Sequence, residues 1–237
     1  MSSFTLITPP TATVSQQEHT NARTLRLTAP KCMFDAMDTL SENGFENIII
    51  FGGALRDTYM NAAFRDIDIW CTIADPLSGE AADKLIQQLQ QNPRFSDVKL
   101  KAKLELQDEY GRVAGVGKIG IECTMDQSFV LDLNISNTAL SRAYTALRGD
   151  APINSIAMGR DGEILADPQF EDHAHRGIYR VRPDRLSEIE RIRARFSKIS
   201  QRHTRLVFDT SQIEDAQLQA DAQKRSSRVA AGGLFGR

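Results

Sequence analysis

The segment Ile48–Ile73, IIIFGGALRDTYMNAAFRDIDIWCTI, decides how the rest of the chain is read. Its first part is a short apolar run stopped by Gly52 and Gly53, the pattern of a strand that bends into a helix. Its last part alternates, with Asp66 and Asp68 on one face of a strand and Ile67 and Ile69 on the other. Two carboxylates side by side repel, so either one takes up a proton or a cation sits between them. A hard divalent ion with oxygen ligands suits such a pair, because Mg²⁺ is commonly held by one or two carboxylates plus phosphate oxygens. An isolated D-x-D at a strand end more often simply faces water. The glycine bend upstream changes that balance, since it lets backbone approach a phosphate and opens onto a helix N-terminus. Arg56, in the first turn of that helix, is placed to add a charge-assisted contact.

Outward from this unit the chain alternates helices and strands. APKCMFDAMDTLSENG carries Met33, Phe34, Met37 and Leu40 at helical spacing and stops at Asn43-Gly44. SGEAADKLIQQLQQNP is an amphipathic helix closed by Pro93. DVKLKAKLELQ, GVGKIGIECT and SFVLDLNIS are strand-like and joined by polar or Gly-rich turns, which predicts a meander. NTALSRAYTALRG and DRLSEIERIRARFSKISQRH are helical in pattern. This order predicts an α+β fold: a mixed, largely antiparallel sheet with helices packed on one face, plus a short helical neck. The expected organisation is a flexible arm over residues 1–24, a head over 25–181, a neck-like helix over 182–208 and a partly disordered tail over 209–237.

The 237 residues are 41% hydrophobic and 25% charged, ordinary for a globular chain with a substantial core. No apolar run is long enough to cross a bilayer, and the N-terminus lacks the basic-then-apolar pattern of a secretory signal. Cys32, Cys71 and Cys123 are odd in number and widely spaced, which argues against a disulfide framework or a zinc cluster. The expectation is a cytoplasmic protein with reduced thiols. A net charge of −2 gives no global attraction for nucleic acid, so such affinity needs a local patch. The arginine-rich stretch from Arg176 to Arg205 is the candidate, with Arg191, Arg193 and Arg195 as candidate RNA contacts; charge runs are more often solvated helix faces. Lys99, Lys101 and Lys103 alternate along one strand face and suggest a solvent-facing edge, with an RNA path as the alternative. His173 and His175 could share one side of a strand, but no third ligand lies near them.

FGGALRD followed by RDIDIW resembles the G-G-x-x-R-D … D-x-D signature of the polymerase-β-like nucleotidyltransferase superfamily. Within it, the similarity is to the head of class II tRNA nucleotidyltransferases (CCA-adding enzymes) and bacterial poly(A) polymerases. GVGKIGIECTMDQSFVLDLNIS is similar to that family's strand pair ending in a third acid, here Asp132. LRGDAPINSIAMGRDGEILADPQFEDHAHRGIYRV looks like its R-R-D-F-T-I-N-A-L … G-x-I-x-D-P … D … L-R segment, so the resemblance spans about Asn47 to Val181. It implies that Gly52 and Gly53 hold a triphosphate and that Asp66, Asp68 and Asp132 bind two Mg²⁺ ions, with Mn²⁺ as a substitute. Asp132 would lie near the attacking hydroxyl, where it binds an ion or helps deprotonate that hydroxyl. Arg56, Asp57 and Arg65 match the first motif, and Arg148, Asp150 and Asn154 match the second, which in the family contacts nucleotide sugar and phosphates.

The implied activity is transfer of a nucleoside monophosphate from ATP or CTP to an acceptor hydroxyl, most simply the 3′ end of tRNA or another RNA. Alternatives are a small-molecule or protein acceptor, or a non-catalytic nucleotide- or RNA-binding relative. The second motif departs from the family in RGDAPINS, where Gly149 replaces an arginine and Ala151-Pro152 an aromatic–threonine pair. The family's base-reading E-D-x-x-R spacing is not reproduced in RLSEIERIRARF, although Glu188, Glu190, Arg191, Arg193 and Arg195 stand there.

Overall fold

A computed structural model describes residues 21–105 and 118–211. The chain divides into two units, residues 1–149 with 155–168 and residues 150–154 with 169–237. The rest of the arm and tail expected from the sequence, and the segment between the first and second meander strands, lie outside the described residues.

The first unit is built on an eight-stranded sheet. Its strands are β1 (Arg23–Leu25), β2 (Phe45–Phe51), β3 (Asp66–Ile73), β4 (Phe95–Glu105), β5 (Lys118–Met125), β6 (Phe129–Ser136), β7 (Ile156–Gly159) and β8 (Ile164–Ala166). The spatial order is β1-β8-β7-β2-β3-β6-β5-β4, and every pair is antiparallel except β3 with β6. The meander read in the sequence is thus β4-β5-β6, and it joins the sheet through the parallel β6–β3 pair. Arg23–Leu25, at the end of the expected arm, forms an edge strand against Ile164–Ala166.

Period-2 patterning holds the centre of this sheet together. Ile67, Ile69 and Cys71 on β3, Leu131, Leu133 and Ile135 on β6, and Ile119, Ile121 and Cys123 on β5 are all fully buried. Each large aliphatic side chain there contributes about 2 kcal/mol through removal from water. The intervening residues Asp66, Asp68, Asp132 and Glu122 point to the opposite face and keep access to solvent.

Helix α1 (Lys31–Glu42) buries Met33, Ala36, Met37 and Leu40, a stripe at helical spacing, and packs on β2. It stops at Asn43 and Gly44, whose φ of 81° suits a residue without a side chain. Helix α3 (Gly79–Gln91) is capped by Ser78, whose Oγ accepts the Ala81 N–H at 3.0 Å, and it packs on β4 through its buried stripe. Helix α2 (Gly53–Tyr59) leads from β2 to β3. Helix α4 (Arg142–Ala146) brings Tyr144 and Ala146 against Ile49, Trp70 and Ala157. Ile49 and Trp70 are register partners, so α4 covers the part of the carboxylate face beyond Asp68.

The second unit contains a 3₁₀ turn at Pro152–Asn154, helix α5 (Phe170–Arg176), β9 (Ile178–Arg180), a 3₁₀ helix over Pro183–Glu188, α6 (Ile189–Ser200) and β10 (Val207–Asp209). β9 and β10 pair in parallel. Tyr179, Phe196 and Phe208 bring β9, α6 and β10 together as an aromatic trio with centroids 5.1–5.8 Å apart. Among the described residues, no helix is long and apolar enough to cross a membrane.

Candidate active site

Parallel pairing of β3 with β6 brings the three aspartates of the sequence reading to one place. Asp68 and Asp132 are direct register partners, and Asp66 stands two residues before Asp68 on the same face. Glu122 is the register partner of Asp132 on β5, so four acids occupy neighbouring positions on three adjacent strands. Glu122 stands out from Ile121 and Cys123 in IECT as Asp132 does from its neighbours, so alternation alone could have revealed it.

The glycine bend closes on this face. Gly52 has φ 75° and ψ −127°, and a Cβ placed there would stand 3.7 Å from Asp68 Oδ2. A Cβ on Gly53 would stand 3.6 Å from Arg56 Nη2. The bend therefore lies between a carboxylate and a guanidinium, with no side chain of its own to fill the space. The Gly52 N–H is donated to Ile156 O at 2.9 Å, so at this residue the missing side chain is what gives room.

Arg56 and Asp57 are almost fully buried, and Arg56 donates to Asp57 Oδ1 from Nε at 2.7 Å and from Nη2 at 2.5 Å. This adjacent pair ties the helix that follows the bend. Arg65 is exposed at the entry to β3, and its carbonyl accepts the Val130 N–H at 3.2 Å, fixing the start of the β3–β6 ladder. The Arg148 guanidinium lies 5.6 Å from the Trp70 ring centroid and 5.2 Å from that of Tyr144. Trp70 is two residues beyond Asp68 on the same face, and its buried Nε1 has no hydrogen-bond partner among the described residues.

Lys101 is the other group at the acids that sequence reasoning left as a solvent-facing side chain. Its Nζ is 2.7 Å from Asp132 Oδ2 and 3.1 Å from Glu122 Oε2. Partial burial pushes its pKa down, but the bonds and charges of Asp132 and Glu122 together hold it above the ordinary lysine value. The side chain is therefore an ammonium at neutral pH. Among the described residues, no group of three or more His, Cys, Asp or Glu side chains converges to hold an ion. The donor set that fits a hard divalent ion is the Asp66/Asp68 pair, completed by substrate oxygens.

The remaining expected contacts lie in the second unit. Asp150 is 1% exposed and its carboxylate accepts from Asn154 Nδ2 at 2.7 Å, Tyr179 Oη at 3.1 Å and Arg195 Nη1 at 2.8 Å. Asp150 and Asn154 are thus engaged with one another. Arg191 pairs with Glu188 and Arg193 with Glu190, so all three candidate RNA-contacting arginines carry an acidic partner. His173 and His175 lie on α5 rather than on a strand, the first buried and the second exposed.

A mixed sheet with this acid-bearing parallel pair at its centre is a nucleotidyltransferase-type fold. The resemblance read in the sequence is matched at that level by solved structures. One is a tRNA-processing enzyme in an apo form, 15% identical over 85% of this chain and 49% of that one, with a TM-score of 0.50. Another is a CCA-adding enzyme in an apo form, 18% identical over 85% of this chain and 45% of that one, also with a TM-score of 0.50. This chain therefore spans about half the length of the solved proteins it resembles. No protein-family model matches the sequence, and no curated protein matches it.

Proposed function

We propose that the chain is a nucleotidyltransferase that moves a nucleoside monophosphate from ATP or CTP to an acceptor hydroxyl and releases pyrophosphate. The observation that carries this reading is the register of Asp68 on Asp132, with Asp66 beside them and the side-chain-free bend at Gly52 against Asp68. Asp66 and Asp68 would hold Mg²⁺, with Asp132 as the third acid of the set. When bound, the ion supplies positive charge to the α-phosphate and the departing pyrophosphate. The chain's own residues do the positioning. Gly52 and Gly53 leave space for the triphosphate beside the carboxylates. Arg148, seated on Trp70, offers a fixed positive charge on the same face. The hydroxyl oxygen forms the new bond to the α-phosphorus, the bond to pyrophosphate breaks, and Asp132 is the oxygen base on hand for the hydroxyl proton.

The favoured acceptor is the 3′ end of an RNA, tRNA first. The fold likeness to a CCA-adding enzyme and a tRNA-processing enzyme supports it, as does the basic stretch from Arg176 to Arg205. A second reading, transfer to a small-molecule or protein hydroxyl, is favoured by the internal pairing of Arg191, Arg193 and Arg195, which reduces the field available to phosphates. Incubation with each labelled NTP, Mg²⁺ and RNAs with and without a 3′-terminal CCA separates the two. Label in RNA, at a rate that falls steeply with salt, supports the RNA acceptor. NTP turnover with no label in RNA supports the second reading.

A further inference from the structure

Tyr144 and Arg148 are four residues apart at the end of α4, the spacing that puts two side chains on one helix face. Their backbone is fastened locally. Ser141 Oγ accepts the Tyr144 N–H at 3.1 Å, and the Arg148 N–H is donated to Thr145 O at 3.3 Å. Trp70 meets this pair from β3. Its ring and that of Tyr144 are buried in one apolar cluster with Ile49, Leu140, Ala146 and Ala157, while Arg148 keeps partial access to solvent. The guanidinium, 5.6 Å from the Trp70 centroid and 5.2 Å from that of Tyr144, is within cation–π range of both.

Packing alone does not account for an indole at this position. The buried Nε1 of Trp70 has no hydrogen-bond partner among the described residues, a cost that phenylalanine or leucine would not carry. What tryptophan supplies over both is the aromatic face that attracts a cation most strongly. Trp70 follows Asp68 by two residues on the same face of β3, about 7 Å along the strand.

Resting on the nucleotidyl-transfer reading above, we propose that Trp70 is a positioning residue that, with Tyr144, holds Arg148 for the part of the nucleotide that leaves as pyrophosphate. The α-phosphate is met at Asp66 and Asp68, and the outer phosphates extend toward Trp70, where the clamped guanidinium receives them. An arginine side chain has several rotatable bonds, and holding them in place beforehand lowers the cost of ordering the side chain on a ligand. A lysine would gain less from the clamp, since a compact ammonium lacks the planar face that stacks on a ring. Trp70 itself touches no phosphate and acts through Arg148.

The test is calorimetric binding of MgATP and MgCTP to the full chain, without acceptor, in a double-mutant cycle. Trp70→Leu, which keeps apolar bulk and removes the ring, is expected to weaken binding about tenfold. Trp70→Phe keeps a poorer ring and should limit the loss to about threefold. In an Arg148→Met background, Trp70→Leu should change affinity by less than about twofold, because the group it acts through is gone. Inorganic pyrophosphate with Mg²⁺ should bind wild type and lose the same factor in Trp70→Leu. If melting shows Trp70→Leu unfolded, Trp70→Phe carries the cycle, with its loss confined to the Arg148 background. Equal losses in both backgrounds, or no loss, would overturn the clamp while the nucleotide site stands. Pyrophosphate that does not bind, or binds both forms alike, would overturn the assignment of Arg148 to the outer phosphates. No binding of either nucleotide by wild type would overturn both the clamp and the reading on which it rests.

Discussion

Removing the Asp150 carboxylate is expected to unfold the second unit's organisation rather than to act on a bound nucleotide. The side chain accepts three hydrogen bonds, from Asn154, Tyr179 and Arg195, and is 1% exposed. Asp150 O also accepts the Arg182 N–H at 2.9 Å, so one residue fastens the 3₁₀ turn, β9, the start of the following 3₁₀ helix and α6. In Asp150→Ala the bonds from Asn154 and Tyr179 cost about 1 kcal/mol each. The Arg195 pair adds only about 1 kcal/mol, because its guanidinium is 43% exposed and regains water. The sum of about 3 kcal/mol lies at the low end for breaking a buried ion pair. Hydrogen exchange of the segments 178–180 and 189–200 reads it, and protection should fall about a hundredfold. Exchange unchanged in those segments, together with weaker NTP binding, would refute the clasp and return Asp150 to a nucleotide contact.

Two further substitutions probe the same unit. Gly177→Ala puts a Cβ 2.5 Å from Arg205 O at a φ of 66°, so it should lower stability by about 2 kcal/mol in urea unfolding, whereas a neutral effect would contradict the close approach. The Ser211 hydroxyl, working against partial burial and helped by the Ser211 N–H and Arg180, holds the Asp209 carboxyl at about 2, below its ordinary 3.8. A depressed folded-state value means stability that is present above the ordinary pKa and lost as pH falls toward 2. Asp209→Asn should therefore flatten acid unfolding in that window and leave the dependence above pH ~5 unchanged.

Much of the first unit was legible because β3, β5 and β6 alternate strictly, with fully buried Ile67, Ile69, Leu131 and Leu133 between the acids. Alternation fixes which face a residue takes, and so it put Asp66 and Asp68 together on one face, whereas Asp132 entered the reading through the family resemblance. Alternation does not fix which strands are neighbours. The parallel register of Asp68 on Asp132 depends on the crossover through α3, β4 and β5, a tertiary choice. The closeness of Lys101 to Asp132 and Glu122 was hidden for the same reason: alternation puts Lys99 and Lys101 on one face, but does not show that β4 lies beside β5 with Lys99 opposite Glu122.

The arginine-rich stretch divides in the same way. Glu188–Arg191 and Glu190–Arg193 are pairs three apart on a helix and could be read from spacing. Arg195–Asp150 and Arg180–Asp209 join residues far apart in the chain and could not. The edge strand Arg23–Leu25 was obscured by its polar neighbours, because a strand of this length owes its conformation to the β8 edge it pairs with.

The central claim is that the acids on β3 and β6 carry nucleotidyl transfer, and Asp66 tests it most directly. Asp66 is exposed at the start of β3, so Asp66→Asn removes one charge from the Asp66/Asp68 pair without opening the core. The measurement is incorporation of α-labelled NTP into RNA by wild type and Asp66→Asn, alongside their melting temperatures in metal-free buffer. The account predicts incorporation by wild type, its loss by at least about a thousandfold in the variant, and a melting temperature unchanged or slightly raised. Undiminished incorporation by Asp66→Asn at equal stability would contradict it.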